Sequence, residues 1–386
     1  MKRREFIIQT GTVISASMLF PGTILAGSKS EQILAGTRRP NPDDFKQAIV
    51  KAISIGMNAP NPHNSQAWKF KIISDLEALF YVDETRLLQA TDPPARQIHI
   101  GCGCFLETLR LGASTLGLLA EYELLPEGDY SLEEAGLKPV ASIEVTAAVD
   151  MQSLPLSDSI YSRQTNRALY EGELMSSSEF NSIAELTSAK HTEISFYSEP
   201  EVLNEMVDIL YEGMVVEANT HVTYDESRIW FRSSQKKIET KRDGINLRTD
   251  GTKGLLLSIM EFIVNEDNEA SWHKSTAINA FLKSYRNKIY TAKGIVLFKT
   301  QTNTLSDWIK TGVDYVRFQL AADELDFVIH PVSQVLQEYP EMDDLRIRFN
   351  ELAGVSEPAK IQMGVRIGRG EKLYYSYRRE PENLLI

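Results

Sequence analysis

The stretch Leu109-Arg110-Leu111-Gly112-Ala113-Ser114-Thr115-Leu116-Gly117-Leu118 returns later in a related form, as Phe318-Gln319-Leu320-Ala321-Ala322-Asp323-Glu324-Leu325-Asp326-Phe327. Three apolar pairs coincide: Leu111 with Leu320, Ala113 with Ala322 and Leu116 with Leu325. The apolar spacing predicts a buried helix in each copy. Two buried helices can share such a pattern through composition alone, so the match favours an internal repeat without excluding that alternative.

The elements around these two stretches occur in the same order. The first series has helices over 43–57 and 105–119 and strands over 68–73, 79–82 and 141–146; the second has helices over 201–218 and 308–325 and strands over 294–299 and 361–367. In both, a helix, a strand, a long helix and a strand follow one another. The sequence therefore predicts an α+β fold in two fused halves, which can pack as an internal pseudo-dimer with a cofactor at the interface.

Composition excludes several classes of protein. The chain has 386 residues, of which 42% are hydrophobic and 24% charged, and its formal net charge is −12. These values are typical of globular proteins and exclude wholesale disorder. An acidic chain has no electrostatic footprint for nucleic acid or anionic lipid, so we expect no nucleic-acid partner. Any anion that it binds must be held by a local cluster of arginines.

The cysteines and histidines predict neither a disulfide scaffold nor a metal site. Cys102-Gly103-Cys104 would close a strained disulfide ring, and the alternative that we favour is two buried free thiols. The six histidines are scattered and no His-Glu-x-x-His motif occurs. We therefore predict no bound metal.

The amino terminus has the features of a targeting segment. A basic start is followed by a moderately apolar stretch over 12–26 with small residues near its end, which predicts a signal peptide over residues 1–27. Arg3-Arg4-x-Phe6 resembles a twin-arginine signal, although a chance arginine pair in an ordinary signal is the alternative. The predicted partner is the twin-arginine export machinery and the predicted location is the periplasm. The poor cleavage site leaves membrane retention open.

A dense polar loop lies between the first predicted helix and strand. It reads Ala59-Pro60-Asn61-Pro62-His63-Asn64-Ser65-Gln66-Ala67-Trp68-Lys69-Phe70, and its two prolines stiffen it. The side chains of His63, Asn64, Ser65 and Gln66 both donate and accept hydrogen bonds. Such a set suits the edge of a flat heterocycle with alternating carbonyl and N–H groups. The alternative is a capped turn with Trp68 in the core.

Two basic segments follow in the second half. In Ser162-Arg163-Gln164-Thr165-Asn166-Arg167, the residues Arg163, Thr165 and Arg167 alternate and so share one side of an extended chain. Two guanidinium groups and a hydroxyl suit a phosphate, whereas the alternative is an exposed basic stretch. The tail carries a second basic pair, Arg378-Arg379, after the Gly368-Arg369-Gly370 turn.

Together these segments resemble the FMN-dependent nitroreductase superfamily. The loop is similar to the family's Pro-Ser-x-x-Asn-x-Gln-Pro-Trp motif, except that Ala67 stands at the second proline. Residues 163–167 resemble its Arg-x-Ser/Thr-x-Arg/Lys element, and the tail resembles the family ending in which a basic pair returns to the phosphate. The order resembles the fused, single-chain Acg-type branch over 40–386. It implies halves over 40–150 and 151–386.

The resemblance implies one FMN per chain, because the second half has no Asn-x-Gln-x-Trp loop. It assigns FMN binding to two groups of residues: His63, Asn64, Ser65 and Gln66 in the first half, and Arg163, Thr165, Arg167, Arg379 and less strongly Arg378 in the second. An internal pseudo-dimer implies a monomer.

The implied activity is an FMN-dependent oxidoreductase that passes electrons to a small, electron-poor acceptor such as a nitroaromatic or a quinone. No catalytic side chain is assigned, and His63 is the one candidate for proton transfer. The alternative function is flavin storage or sequestration, with the polar segment 218–258 as a lid over a catalytically silent site.

Overall fold

The computed structural model describes residues 33–34, 36–148 and 150–386. The predicted signal peptide, with its Arg3-Arg4 pair, lies outside these ranges. Among the described helices, none combines the length and the apolar character that crossing a membrane requires.

The first half contains an antiparallel sheet of four strands in the order β1-β2-β4-β3. Its elements are α1 (Ala48–Gly56), β1 (Trp68–Ile72), β2 (Glu77–Val82), α2 (Arg96–Ser114), β3 (Leu118–Leu124) and β4 (Ala141–Ala147). Helices α1 and α2 cover one face of this sheet, where the aromatic rings of Trp68, Phe70, Phe80 and Phe105 pack together. These aromatic contacts form the centre of the first core.

The second half repeats this arrangement with the strand order β5-β6-β8-β7. Its elements are α3 (Ser177–Thr187), β5 (Glu193–Tyr197), α4 (Pro200–Asn219), α5 (His221–Ile229), α6 (Gln235–Lys241), α7 (Gly254–Ile263), α8 (Glu269–Trp272), α9 (Ser275–Ile289), β6 (Gly294–Thr300), α10 (Leu305–Glu324), β7 (Val328–Pro331), α11 (Asp343–Leu352) and β8 (Lys360–Gly368). Helices α4 to α9 form an insertion between β5 and β6 that the first half lacks. The shared strand order confirms the predicted α+β fold in two fused halves.

The two halves meet where α2 crosses α10, and the crossing is symmetric. A Cβ atom at Gly103 would lie 1.8 Å from the Ile309 carbonyl oxygen, and one at Gly312 would lie 2.0 Å from the Ile100 carbonyl oxygen. Gly103 and Gly312 stand at the same separation along the chain as Leu109 and Phe318. The alignment of the repeat therefore coincides with the geometry of the helix crossing, where only glycine permits so close an approach.

Several predicted bounds are wrong, and buried polar residues explain the largest error. Helix α2 begins at Arg96 rather than at 105 and ends at Ser114, after which the chain turns into β3. Arg96 and His99 in its first turns are buried with internal partners: Arg96 donates to the carbonyl oxygens of Leu336 and Gln362, and His99 Nδ1 lies 2.7 Å from the Ala95 carbonyl oxygen. Polar residues in the interior hide the apolar period from the sequence.

The cysteines have the predicted state. Cys102 and Cys104 lie on α2 as free, buried thiols. Burial raises the pKa of both thiols well above the ordinary value. They are therefore small core residues with no thiolate character.

The carboxyl-terminal tail links the two halves. After β8 in the second half, the chain returns to the first half, where Leu385 pairs with Phe70 of β1 and the Ile386 N–H donates to the Phe70 carbonyl oxygen at 2.9 Å. This return brings residues 374–379 beside the polar loop that precedes β1. Each sheet lies within one predicted half, while the boundaries at 40, 150 and 151 stay a prediction.

Candidate functional site

The segment from Arg163 to Arg167 runs beside β7, where Thr165 pairs with Ile329. Its side chains alternate between contacting the carboxyl-terminal tail and lining a cavity. Gln164 holds the tail by donating to the Leu373 carbonyl oxygen at 2.6 Å and accepting from the Leu373 N–H at 2.7 Å. Arg163, Thr165 and Arg167 line a cavity, and Gln164 contributes to its wall. The structure thus brings together the three residues whose alternation indicated a common face.

This cavity lies where the two halves, the tail and the insertion meet. The space between its lining residues is about 520 Å³ when the open solvent at its mouth is included. It is lined by Arg39, Pro60, Asn61, Asn64, Arg163, Gln164, Thr165, Arg167, Gly244, Ile245, Thr249, Tyr374, Tyr375, Ser376 and Arg378. The lining is mostly polar, and four of its members are arginines.

The polar loop reaches this cavity in a strained conformation. His63, Asn64 and Gln66 have φ values of 51°, 53° and 51°, in the left-handed region that non-glycine residues rarely adopt. Asn64 is fixed on both sides of its amide: it accepts from Arg378 at 2.8 Å and donates to the carbonyl oxygens of Gly244 and Tyr377 at 3.3 Å. Such conformations persist only where the surroundings enforce them, and they concentrate at functional sites.

The other predicted loop residues do not line the cavity. Gln66 is fully buried, and its amide donates to the Arg242 carbonyl oxygen at 2.9 Å and accepts from the Arg379 N–H at 2.8 Å. Among the described residues, the buried Ser65 hydroxyl has no hydrogen-bond partner. Of the four predicted loop residues, Asn64 alone lines this cavity, because contacts with the insertion and the tail occupy Gln66. The FMN-binding role of the four residues stays a prediction.

The tail arginines are placed in the opposite order to the prediction. Arg378 lines the cavity and donates to the carbonyl oxygens of Met57 at 2.7 Å and Ala59 at 3.3 Å. Arg379 points away: it donates to the Gln66 carbonyl oxygen at 3.1 Å and lies 3.5 Å from Asp83. The structure thus places Arg378 rather than Arg379 at the cavity, because Asp83 draws Arg379 to the first half, and the FMN-binding role of both arginines stays a prediction.

The charge around the cavity is uncompensated. Within the described part of the chain, none of Arg39, Arg163, Arg167 and Arg378 has a carboxylate oxygen within the 4.0 Å of an ion pair. Burial is the largest cause that lowers the pKa of all four arginines, and the pKa of Arg39 is about 9 when all its neighbours are included. Arg163 further lowers the pKa of Arg39, and Arg39 and Arg163 together lower that of Arg378. Asp323 and Asp250 act on Arg163 and Arg167 only from beyond ion-pair distance. A concentration of positive charge without a directly paired carboxylate among the described residues is typical of an anion site.

Arg167 and Thr165 are the most available of these groups. Neither side chain makes a hydrogen bond to another described residue, whereas Arg163 donates to Gln319 Oε1 at 3.1 Å and to the Asn58 carbonyl oxygen at 2.8 Å. A hydroxyl and a guanidinium group therefore face the cavity with free donors. An oxyanion with several acceptor oxygens matches this donor set.

His63 is placed beside the cavity rather than in its wall. Burial, and after it the positive charge of Arg167, lowers the pKa of His63 to about 4. The imidazole is therefore neutral at physiological pH. The structure does not bring His63 among the lining residues, so its predicted proton-transfer role has no geometric support.

The insertion covers one side of the cavity. Gly244, Ile245 and Thr249 belong to it and line the cavity. Asp243 fastens this segment through ion pairs with Arg86 of the first half and with Arg232 at 2.7 Å. The segment 218–258, predicted as polar helix and loop or as a lid, consists of the end of α4, helices α5 and α6, the turn over 242–253 and the start of α7. The turn over 242–253 lies against the cavity, as a lid would.

Sequence reasoning missed several of the lining residues. Arg39 precedes the first helix, outside every motif, and donates to Asn58 Oδ1 at 3.2 Å and to the Ser376 carbonyl oxygen at 3.2 Å. Tyr374 and Tyr375 come from the tail, and Arg39 lies 5.4 Å from the centre of the Tyr375 ring. The aromatic run before Arg378 was the one signal that could have indicated them.

Comparison with curated proteins gives relatives for part of the chain, and no family model matches it. "Putative NAD(P)H nitroreductase acg" of Mycobacterium tuberculosis H37Rv is 30% identical over 119 residues, which are 31% of this chain and 34% of the relative. "Putative NAD(P)H nitroreductase Rv3131" of the same strain is 24% identical over 126 residues, 32% of this chain and 34% of the relative. The chain thus matches about a third of the length of these relatives. They support the resemblance to nitroreductase-like proteins over that part.

Solved structures give weaker likenesses over a longer part of the chain. A nitroreductase with bound FMN from Desulfitobacterium hafniense has a TM-score of 0.36 and 13% identity, covering 59% of this chain and 96% of its own. A nitroreductase-like family protein from Bacillus cereus has a TM-score of 0.33 and 12% identity, covering 60% and 93%. At these TM-scores the likeness does not define the fold of this chain.

Proposed function

We propose that this protein is an FMN-dependent oxidoreductase of the nitroreductase type that passes electrons to a small, electron-poor acceptor. The observation that carries the proposal is the cavity with four arginines, none of which has a carboxylate oxygen within 4.0 Å in the part of the chain that the structure describes. The relatives named as NAD(P)H nitroreductases are consistent with it. The phosphate of FMN supplies the dianion that these arginines lack.

The residues fit the phosphate end of the cofactor. Arg167 and Thr165 offer free donors, Arg163 and Arg39 add positive charge, and Arg378 forms the side of the cavity next to the polar loop. When bound, FMN supplies the redox chemistry, accepting electrons from a donor and releasing them to an acceptor.

The chain itself contributes position, electrostatics and exclusion of water. The arginines stabilise negative charge in a partly enclosed cavity, where such interactions are stronger than in water. The strained loop and Asn64 fix one wall, and the insertion covers another. No side chain of the described residues is assigned a proton-transfer step.

Flavin storage or sequestration is the second candidate, and one observation favours it. The insertion is fastened across the cavity by the ion pairs of Asp243, and Gln66 donates to the carbonyl oxygen of Arg242 within the same segment. A store must cover its flavin, whereas an enzyme must expose it to a second substrate. The two functions therefore differ in whether this segment opens.

The experiment that tests the proposal measures flavin content and reactivity in sequence. Purified protein is expected to carry, or to bind, one FMN per chain with a visible flavin spectrum. The bound flavin is then reduced anaerobically with dithionite and mixed with a quinone or a nitroaromatic. Rapid reoxidation supports the oxidoreductase, and slow reoxidation of a fully occupied protein supports storage. Failure to bind FMN would remove both functions.

The finer assignments rest on the sequence and are proposed with the function. We propose that the chain belongs to the fused, single-chain Acg-type branch, that it is a monomer, and that a twin-arginine signal exports it to the periplasm, with or without membrane retention. Changing Arg3 and Arg4 to lysine is then expected to leave the protein in the cytoplasm. Cell fractionation tests this, and unimpaired export of the double variant would show that the arginine pair is incidental.

A further inference from the structure

Two histidines that are distant in sequence lie together on the insertion. His221 is the first residue of α5, Glu269 is the first residue of α8, and His273 follows the end of α8. One ligand atom from each of the three side chains lies within 4.8 Å of the others. The two imidazole rings stack with centroids 4.0 Å apart and planes 9° apart. We propose that these three side chains form a binding site for a late first-row divalent cation, with Zn²⁺ as the reference ion.

The ligand types define the class of metal. Two imidazoles and one carboxylate suit Zn²⁺, Co²⁺, Ni²⁺ or Cu²⁺ and do not suit Mg²⁺ or Ca²⁺, which prefer oxygen ligands. Ligand atoms around tetrahedral Zn²⁺ lie about 3.3 Å apart, since each bond is about 2.0–2.1 Å long. In the stacked arrangement the in-plane lone pairs of the two imidazoles run parallel, so ligation of one ion requires the His221 ring to turn out of the stack. His221 and Glu269 are exposed, so both side chains are free to make this adjustment. Three protein ligands leave the fourth position for water.

An outer carboxylate already orients one of the histidines. Asp225 Oδ1 lies 3.1 Å from His273 Nε2, and Arg228 in turn holds Asp225, with its Nε 2.6 Å from Oδ1. A carboxylate on one ring nitrogen fixes the tautomer and leaves the other nitrogen free as a ligand, an arrangement typical of zinc-binding histidines. This contact is an observation independent of the three-residue cluster.

Contacts between α5 and α8 hold the three side chains near one another. The Trp272 indole donates to the Tyr224 carbonyl oxygen at 3.2 Å, and the Tyr224 ring meets His273 edge to face. Glu269 has one competing contact, with Arg228 at 3.8 Å, but Glu269 is 58% exposed and such a pair is weak. A bound cation would tie α5 to α8 and so brace the insertion. The proposal does not depend on the flavin.

The test is a Zn²⁺ titration of the full chain by isothermal calorimetry in a buffer that does not chelate metals. We expect saturable binding of one Zn²⁺ per chain. Asp225→Asn removes only an outer partner and should weaken Zn²⁺ binding by about 10- to 100-fold. His221→Ala and His273→Ala each remove a ligand and should weaken Zn²⁺ binding by more than that. His191→Ala, an exposed histidine outside the cluster, is the matched control and should bind as the wild type does.

Folding is checked by circular dichroism of the metal-free variants, and Glu269→Gln provides a further variant at an exposed position. Zn²⁺ is also expected to raise the unfolding temperature of the wild type and of His191→Ala, but not that of His221→Ala or His273→Ala. Absence of saturable Zn²⁺ binding would overturn the proposal. Wild-type affinity in both His221→Ala and His273→Ala would overturn it equally, because the ion would then bind elsewhere.

Discussion

Replacing Arg167 by methionine is expected to have opposite effects on the empty and the flavin-bound protein. Methionine keeps most of the apolar stem and removes the charge. Arg167 has no ion pair within 4.0 Å among the described residues, and Asp250, the carboxylate that raises its pKa from longer range, is itself paired with Lys288. Burial lowers the pKa of Arg167, so its charge is a cost to the empty protein. Removing it should increase the free energy of unfolding by up to about 1 kcal/mol, or roughly 1–2 °C in Tm.

The same change should weaken FMN binding. A charge-assisted hydrogen bond contributes roughly 1.5–3 kcal/mol, which corresponds to an affinity loss of about 10- to 150-fold. Riboflavin has the same ring but no phosphate, so its affinity should change little. Titration of the flavin-free protein by flavin fluorescence measures both affinities, and calorimetric unfolding measures stability.

The control is Arg379→Met, because Arg379 lies outside the cavity with Asp83 at 3.5 Å and the Gln66 carbonyl oxygen at 3.1 Å. It should lower stability without changing the ratio of FMN to riboflavin affinity. The reasoning fails if Arg167→Met weakens FMN and riboflavin equally, or if Arg379→Met alone reduces that ratio. Either result would place the phosphate elsewhere.

Three further predictions follow from other features. Glu217→Gln should flatten the pH dependence of the free energy of unfolding. Burial raises the pKa of Glu217 to about 7, so the wild type should lose about 3 kcal/mol of stability as the pH rises from about 4.5 through 7. Urea unfolding at several pH values measures this loss. Gly103→Ala and Gly312→Ala should each lower the free energy of unfolding by about 1–3 kcal/mol, although alanine has the higher helix propensity. The reason is that each new Cβ atom would meet a backbone carbonyl of the other helix. Unchanged denaturation midpoints would contradict the helix crossing. Asp243→Asn removes the ion pairs that fasten the insertion over the cavity and should speed reoxidation of reduced flavin by a quinone in stopped-flow measurements. The control is Asp267→Asn, which removes an exposed ion pair and should leave the rate unchanged. Equal rates in the two variants would argue against a lid.

The sequence was most informative where a pattern is local. Alternation in residues 163–167 indicates which side chains share a face, and the structure places Arg163, Thr165 and Arg167 at one cavity because Thr165 pairs with Ile329 as an extended segment. The long apolar helices were also predictable, since their period is carried by many residues. Their starts were not, because buried polar residues such as Arg96 interrupt the period.

Features set by distant contacts could not be predicted. The choice between Arg378 and Arg379 depends on the register of an irregular tail, which the Gln66 amide fixes by accepting the Arg379 N–H. Arg39 reaches the cavity through Asn58 and the Ser376 carbonyl oxygen, and neither contact leaves a local pattern. The short strand β7 and the pairing of His221 with His273 are hidden for the same reason: long-range packing rather than periodicity determines them.

The near-symmetry of the two halves makes the placement of the four-arginine cavity informative. In the first half, the chain between α1 and β1 runs over 57–67 and includes the strained polar loop, whereas the connection between α3 and β5 has only residues 188–192. There the fully buried Asp314 accepts hydrogen bonds from the N–H groups of Lys190, His191 and Thr192 at 3.1, 2.7 and 2.8 Å. This short connection therefore has no counterpart of the polar loop, and its N–H groups are already taken up by the Asp314 carboxylate. The helix crossing is thus symmetric while the anion site is not, so we expect one flavin for each chain rather than the two that a symmetric pair of sites would hold.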